Sequence, residues 1–256
     1  MTKRPLLLYI AVYIFYLAVA VVITYPLVTQ FSTHFAGDLP GPGDAYEYAR
    51  HIWWFKHALQ TGQPLFFHPL LAYPDGIPGA HLWANLLQSF PASLFAFFMP
   101  LPAAFNLMIL LRLAFNGWAM WFLSRQLLAI SYQQEDSSLI THHSFLIPSL
   151  LAGVIYLAFP TVQSHLAASH SGLIALWQYP LYIYALLRLQ ATGERRWYIL
   201  AVLFFVLGCI GNYALVLYVL APVTAFLVLA RIIQQDWVGL RRIITAVFLG
   251  GAASLV

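Results

Sequence analysis

Long apolar runs recur along this chain, at residues 5–30, 82–99, 103–128, 146–160, 172–190, 197–212, 213–233 and from 243 onward. Several reach the roughly 20 residues that a helix needs to cross a bilayer. Open sheet edges cannot satisfy their hydrogen bonds in lipid, so helices are the expected spanning elements. The expected fold class is therefore all-α, a polytopic transmembrane helical bundle. Composition agrees, with 62% hydrophobic and 8% charged residues against about half and a quarter in soluble domains. The net charge of +4 calls for no nucleic-acid partner, because Lys and Arg beside spans are a feature of membrane topology. A phosphate-bearing lipid remains compatible with it. Cys209 is the only cysteine, which excludes an intrachain disulfide and a cysteine metal site. The first run begins after Lys3 and Arg4 and contains a small-residue pair, Ala18 and Ala20, like a cleavage site. It continues past them through Val28, too long for a signal core, and reads as an uncleaved first span.

The basic residues set an orientation. Lys3 and Arg4 place the N-terminus in the cytoplasm, as do Arg125, then Arg188 with Arg195 and Arg196, then Arg231 with Arg241 and Arg242. Eight simple crossings would put the turn with Arg195 and Arg196 outside. Letting 82–99, interrupted by Pro91, enter and leave on the outer side as a re-entrant or interfacial helix restores the rule and leaves about seven spans. Residues 1–256 then form a single membrane domain of a plasma-membrane protein. Its outer surface comprises a long first extracytoplasmic loop, 31–81, carrying interfacial helices, a second loop, 161–171, and a tight link near Gly211 and Asn212. The polar linker 131–144 lies inside. The last run is short for a crossing, so the chain is expected to be the N-terminal part of a longer one.

Only eight acidic residues occur, and Asp38, Asp44 and Glu47 fall in the first outer loop. Within GPGDAYEYARHIWWFKHAL, residues 41–59, the spacing predicts a helix with Tyr48, Ile52, Phe55 and Leu59 on one face. Glu47, Arg50, Trp54 and His57 lie on the other, with Trp53 and Trp54 at headgroup depth. Asp44 reads either as the N-cap, with Glu47 completing a capping box, or as a general base or metal ligand for an acceptor hydroxyl or amine; the two roles are compatible. Seven of the nine histidines sit in the two outer loops, His165 and His170 in the second, with no metal-site spacing among them. Asn106, Arg112 and Asn116 lie within an apolar run. A charge at that depth faces a cavity or a partner, so Arg112 either holds a lipid phosphate or pairs with a carbonyl inside the bundle.

Taken together, three stretches resemble the multi-pass glycosyltransferases of the GT-C fold that use polyprenyl-phosphate-linked sugars. They are GDAYEYARHIWWFKHALQTGQPLFFHPLLAYPDG after the first span, the span from FNLMILLRLAF to FLSRQLL, and GVIYLAFPTVQSHLAASHSGLIALWQYPLYIYALLRL. The resemblance covers about four fifths of the chain. It implies transfer of a sugar, outside the membrane, from a polyprenyl-phosphate donor to a lipid, glycan or protein acceptor. Asp44 matches the family's essential acidic residue and is the expected catalytic carboxylate. His165 and His170 would contact the leaving phosphate or the sugar, and Arg112, Gln163 and Glu47 are further candidates for substrate binding. This sequence departs from the paired acidic motif of several branches, since Glu47 follows Asp44 by three residues with no adjacent acidic neighbour, and a divalent metal is therefore only one option. Two rival classes are a lipid or solute transporter and a non-catalytic membrane subunit of a larger assembly. Transport would spread ionisable groups along broken spans, whereas here they gather mainly toward one face.

Overall fold

The computed structural model describes residues 3–37, 44–78, 86–133 and 145–254. Asp38, His81 and most of the polar linker 131–144 fall outside them. The described chain is all-α apart from one minimal hairpin. Five stretches are long and apolar enough to cross a membrane: Leu6–Ile23, Leu101–Ile130, Leu146–Ala167, Arg195–Asn212 and Val216–Ile233. These are the marks of a helical membrane protein.

Two compact units emerge, one of Met1–Phe115 with Leu157–Ala175, the other of Asn116–Tyr156 with Leu176–Val256. The first begins with α1 (Lys3–Ile23), followed by a 3-10 turn at Leu27–Gln30. The loop segment folds into α2 (Asp44–Thr61) and a hairpin of β1 (Phe67–His68) and β2 (Ile77–Pro78). Asp44 and Glu47 occupy the first turn of α2, where carboxylates face the positive end of the helix dipole. At its other end Gly62 takes φ +69° and the Gln63 amide donates to the Ala58 carbonyl at 3.0 Å, a Schellman closure.

Trp54, Phe55 and Ala58 of α2 pack with Leu65, Leu86 and Phe90. The expected inner face of α2 is thus buried at Tyr48, Ile52 and Phe55, but Leu59 is 43% exposed and Trp54 only 1%. Trp54 is a core residue rather than a headgroup anchor, because its indole N–H donates to the Leu65 carbonyl at 3.1 Å, which meets its one polar need. Trp53, 40% exposed, stays outside. Next comes α3 (Leu86–Phe95), with Pro91 inside it. Its ten residues give a length of about 15 Å, half of a bilayer's hydrocarbon core. The long α4 (Leu101–Gln133) begins in this unit. The unit closes with α6 (Pro160–Ala167), opened by Pro160 in the position where a missing N–H is harmless, and a 3-10 turn at Ser171–Leu173.

The second unit holds the rest of α4, most of α5 (Leu146–Leu157), α7 (Gln178–Thr192), α8 (Arg195–Leu215), α9 (Ala221–Ile233) and α10 (Trp237–Ala253). Tyr179, Tyr182, Leu186, Leu189, Trp197 and Leu220 lead its core. The expected link near Gly211 and Asn212 is a break in α8: Asn212 is extended, with φ −165° and ψ 103°. Its side chain accepts from the Leu215 amide at 3.4 Å, the position of an N-cap for the segment that follows. The connection from α7 to α8 turns at Gly193, left-handed at φ +68°, as a helix stop requires. Asp236 caps α10 by accepting from the Gly239 amide at 2.9 Å and pairs with Arg231 at 3.2 Å.

Candidate functional site

The site is assembled in the first unit from α2 and the segment that follows α6. Asp44 is the first helical residue of α2. The residues that precede it fall outside the described ones. Burial of Tyr48, Ala49 and Ile52 fixes the rotation of the helix, and the Tyr48 hydroxyl accepts from the Gly172 amide at 3.2 Å. Ser169 Oγ donates to the Ala36 carbonyl at 3.0 Å. Gly37, at φ +135°, lies so close that a β-carbon there would run into Ser169 Oγ. These ties hold the 168–172 segment against α2 and against the entry to the first loop.

Their product is a short polar chain. His170 Nε2 lies 3.5 Å from Asp44 Oδ2, and His170 Nδ1 lies 3.3 Å from His165 Nδ1. The His170 amide also donates to the His165 carbonyl at 2.8 Å, which fixes their spacing. With both rings neutral, one tautomer set serves every contact. His170 carries hydrogen on Nε2 toward the carboxylate, His165 carries it on Nδ1 toward His170, and His165 Nε2 remains an acceptor. The Asp44 and His170 side chains are 48% and 40% exposed, so an incoming ligand reaches them.

The other expected site residues are distributed around this chain. Gln163, on the same helix as His165, donates from Nε2 to the Leu157 carbonyl at 3.3 Å. It lines a cavity of about 520 Å³ with Ile23, Leu27, Gln30, Phe35 and Leu166. Glu47 lies one turn along α2 from Asp44, 3.6 Å from Arg50 Nη2 and 3.5 Å from His51 Nε2. Arg112 is 5% exposed and donates from Nη1 to Gln88 Oε1 at 2.6 Å and to the Ser171 carbonyl at 3.1 Å. Of its two expected roles, the pairing with a carbonyl inside the bundle is the one observed. Among the described residues no carboxylate lies within ion-pair distance of it. It holds Ser171 next to His170, which makes it a brace for the site. Asn106 braces the other side: its Oδ1 accepts from the Ala36 amide at 2.9 Å, and its Nδ2 donates to the Phe31 and His34 carbonyls at 2.8 and 2.7 Å.

Among the described residues no three His, Cys, Asp or Glu side chains gather as a metal site. The described residues thus assemble no ligand set for the optional divalent metal. Two features escaped the sequence reading, one residue and one pairing. Gln88 was hidden inside an apolar run, and His51 and His68 meet only because the hairpin folds back on α2; the (i, i+4) spacing of Glu47 and His51 was the one visible signal. No family model matches the chain, and neither the curated proteins nor the solved structures contain a match.

Proposed function

We propose that this chain is a GT-C-like glycosyltransferase module that moves a sugar from a polyprenyl-phosphate donor to a lipid, glycan or protein acceptor on the extracytoplasmic face. The observation that carries the reading is the solvent-reachable Asp44 carboxylate beside His170, itself coupled to His165. The mostly apolar cavity flanked by α1 and α6 supports it, since a lipid-linked donor needs apolar walls beside a polar reaction centre. The orientation follows the basic clusters: a cytoplasmic N-terminus, about seven spans, and α3 as part of an element that does not cross.

In this reading Asp44 accepts the proton of the acceptor hydroxyl or amine as its heteroatom attacks the anomeric carbon of the donor. The new bond to that carbon forms while its bond to the phosphate oxygen breaks, and the electron pair leaves with polyprenyl phosphate. His170 orients the carboxylate, and His165 Nε2, a hydrogen-bond acceptor, takes a hydroxyl of the sugar. General-base removal typically lowers rates by about 10² to 10⁴.

The test is a transfer assay on the chain in nanodiscs, offered polyprenyl-phosphate sugars and scored by mass spectrometry. Asp44→Asn should retain bound donor and lose transfer by about that factor, while His165→Ala with His170→Ala should weaken donor retention. Undiminished turnover by Asp44→Asn would remove the carboxylate from the mechanism. Movement of the lipid across the bilayer with no new glycosidic bond would replace transfer with transport.

A further inference from the structure

A second cavity, of about 260 Å³, opens beside α2 and is lined by Glu47, Arg50, His51 and His68 with Leu71 and Ile77. His51 and His68 are 1% and 2% exposed. Both ring nitrogens of His68, His51 Nδ1 and Arg50 Nε are buried with no hydrogen-bond partner among the described residues, and His51 Nε2 meets only the Glu47 carboxylate at 3.5 Å. Buried polar atoms are nearly always paired, by protein, by ordered water or by a bound molecule. Four such atoms around one cavity mark a place where water or a ligand supplies the missing partners. We propose that this cavity binds a neutral polyhydroxylated ring of monosaccharide size.

The donor and acceptor inventory selects that class. Arg50 Nε–H is a fixed donor and the Glu47 carboxylate a fixed acceptor. Burial first, and then the Arg50 guanidinium, hold both imidazoles below the usual histidine range, so at neutral pH each ring presents one N–H and one lone pair. The wall therefore offers donors and acceptors in equal measure, with Arg50 and Glu47 cancelling in charge. Hydroxyl groups both donate and accept, so a polyol satisfies all of these atoms without altering the charge. An oxyanion brings mainly acceptors and negative charge, which would leave imidazole lone pairs poorly met and sit against Glu47. Size agrees, because the cavity lies just below the roughly 300–1,000 Å³ of drug-sized ligands. Leu71, Ala72 and Ile77 supply an apolar side to it, and the stack of His68 on Trp54, ring centroids 4.3 Å apart, holds the His68 ring in place. Glu47 stands one turn from Asp44, so the bound ring would be the glycosyl unit of the transfer reaction. That last step rests on the reading above, whereas the binding site stands on its own atoms.

The experiment is saturation-transfer NMR on the chain in nanodiscs, with glucose, galactose, mannose and inorganic phosphate as separate probes. At least one hexose should receive saturation at its ring protons, and phosphate should not displace it. Glu47→Gln removes an acceptor from a half-exposed position and should abolish the hexose signal. Leu71→Trp, which fills the cavity and leaves its polar groups in place, should do the same. Asp44→Asn should bind like wild type. Absence of any hexose signal overturns the proposal, as does phosphate binding that Glu47→Gln strengthens, the mark of an anion pocket. Hexose binding without transfer by the wild type would sink the glycosyltransferase reading and leave the cavity standing; transfer without hexose binding would do the reverse.

Discussion

In the unit that contains α2, the buried positions include His51, His68, Gln88, Asn106 and Arg112; in the unit that contains α7 to α9, they are chiefly Tyr179, Tyr182, Leu186, Leu189, Trp197 and Leu220. The cations of the second unit stay near its surface, with Arg188 and Arg196 over the Trp197 ring at 5.3 and 5.1 Å. Burying polar groups is favourable only when each is paired, so Asn106, Gln88 and Arg112 tie the first interior by specific bonds, whereas the second, though it also buries Asn116 and Gln178, relies more on packing. A bond-held interior places particular atoms, such as the Asp44 carboxylate, with a definition that packing alone does not give. Substitutions should therefore act differently in the two units, on position in the first and on stability in the second.

The largest expected effect of this kind is at Asn106. Asn106→Ala removes one side chain and orphans the Ala36 amide and the Phe31 and His34 carbonyls together. At about 1–3 kcal/mol for each buried group left unpaired, the loop entry should detach. Hydrogen exchange in nanodiscs should report lost protection across 31–37, with the Asp44-dependent transfer falling in parallel. Intact protection there would show that the loop is held by something other than Asn106.

That interior was only partly legible in the sequence. Apolar runs translate directly into helices, because length and hydrophobicity decide who crosses a bilayer, and the breaks at Pro160 and Asn212 follow from local chemistry. The 3.6-residue spacing also located α2 and its buried Tyr48, Ile52 and Phe55. Trp54 was misplaced because periodicity assigns one face to the core, whereas α2 is buried on more than one side by the hairpin and α3. The Asp44, His165 and His170 grouping was legible only as a shared loop side. Their contact depends on Ser169, Gly37 and Tyr48, whose roles are tertiary. Arg112 announced itself as unusual, but its partner Gln88 carried no signal.

A packing-held interior should break in proportion to volume. Leu186 is fully buried in the second unit, and Leu186→Ala should destabilise by about 2–5 kcal/mol through lost burial and the cavity left behind. Thermal unfolding in detergent would show the lowered midpoint, and donor retention per folded molecule should not change. A change in donor retention at fixed folded fraction would erase the distinction between the units.

The smallest effect is a pH slope confined to the first unit. Among the described residues, every histidine belongs to it. Burial, followed by Arg50, depresses the protonation of His51 and His68; Glu47 opposes this at His51, and the facing His68 adds to it. The unfolded chain, with histidines near 6.5, therefore binds more protons than the folded chain once the pH falls below about that value. Stability must then decline on acidification, by at most about 1.4 kcal/mol per pH unit for each proton taken up. Hydrogen exchange at pH 7.5 and 5.5, corrected for intrinsic rates, should show loosening of α2 and the β1–β2 hairpin while α7 to α9 hold. Arg50→Gln removes one of the depressing influences and should shallow the slope without abolishing it, because burial is the larger cause at both rings. Equal loosening in both units would mean that acid acts on the bilayer or on the whole chain, and not through these two imidazoles.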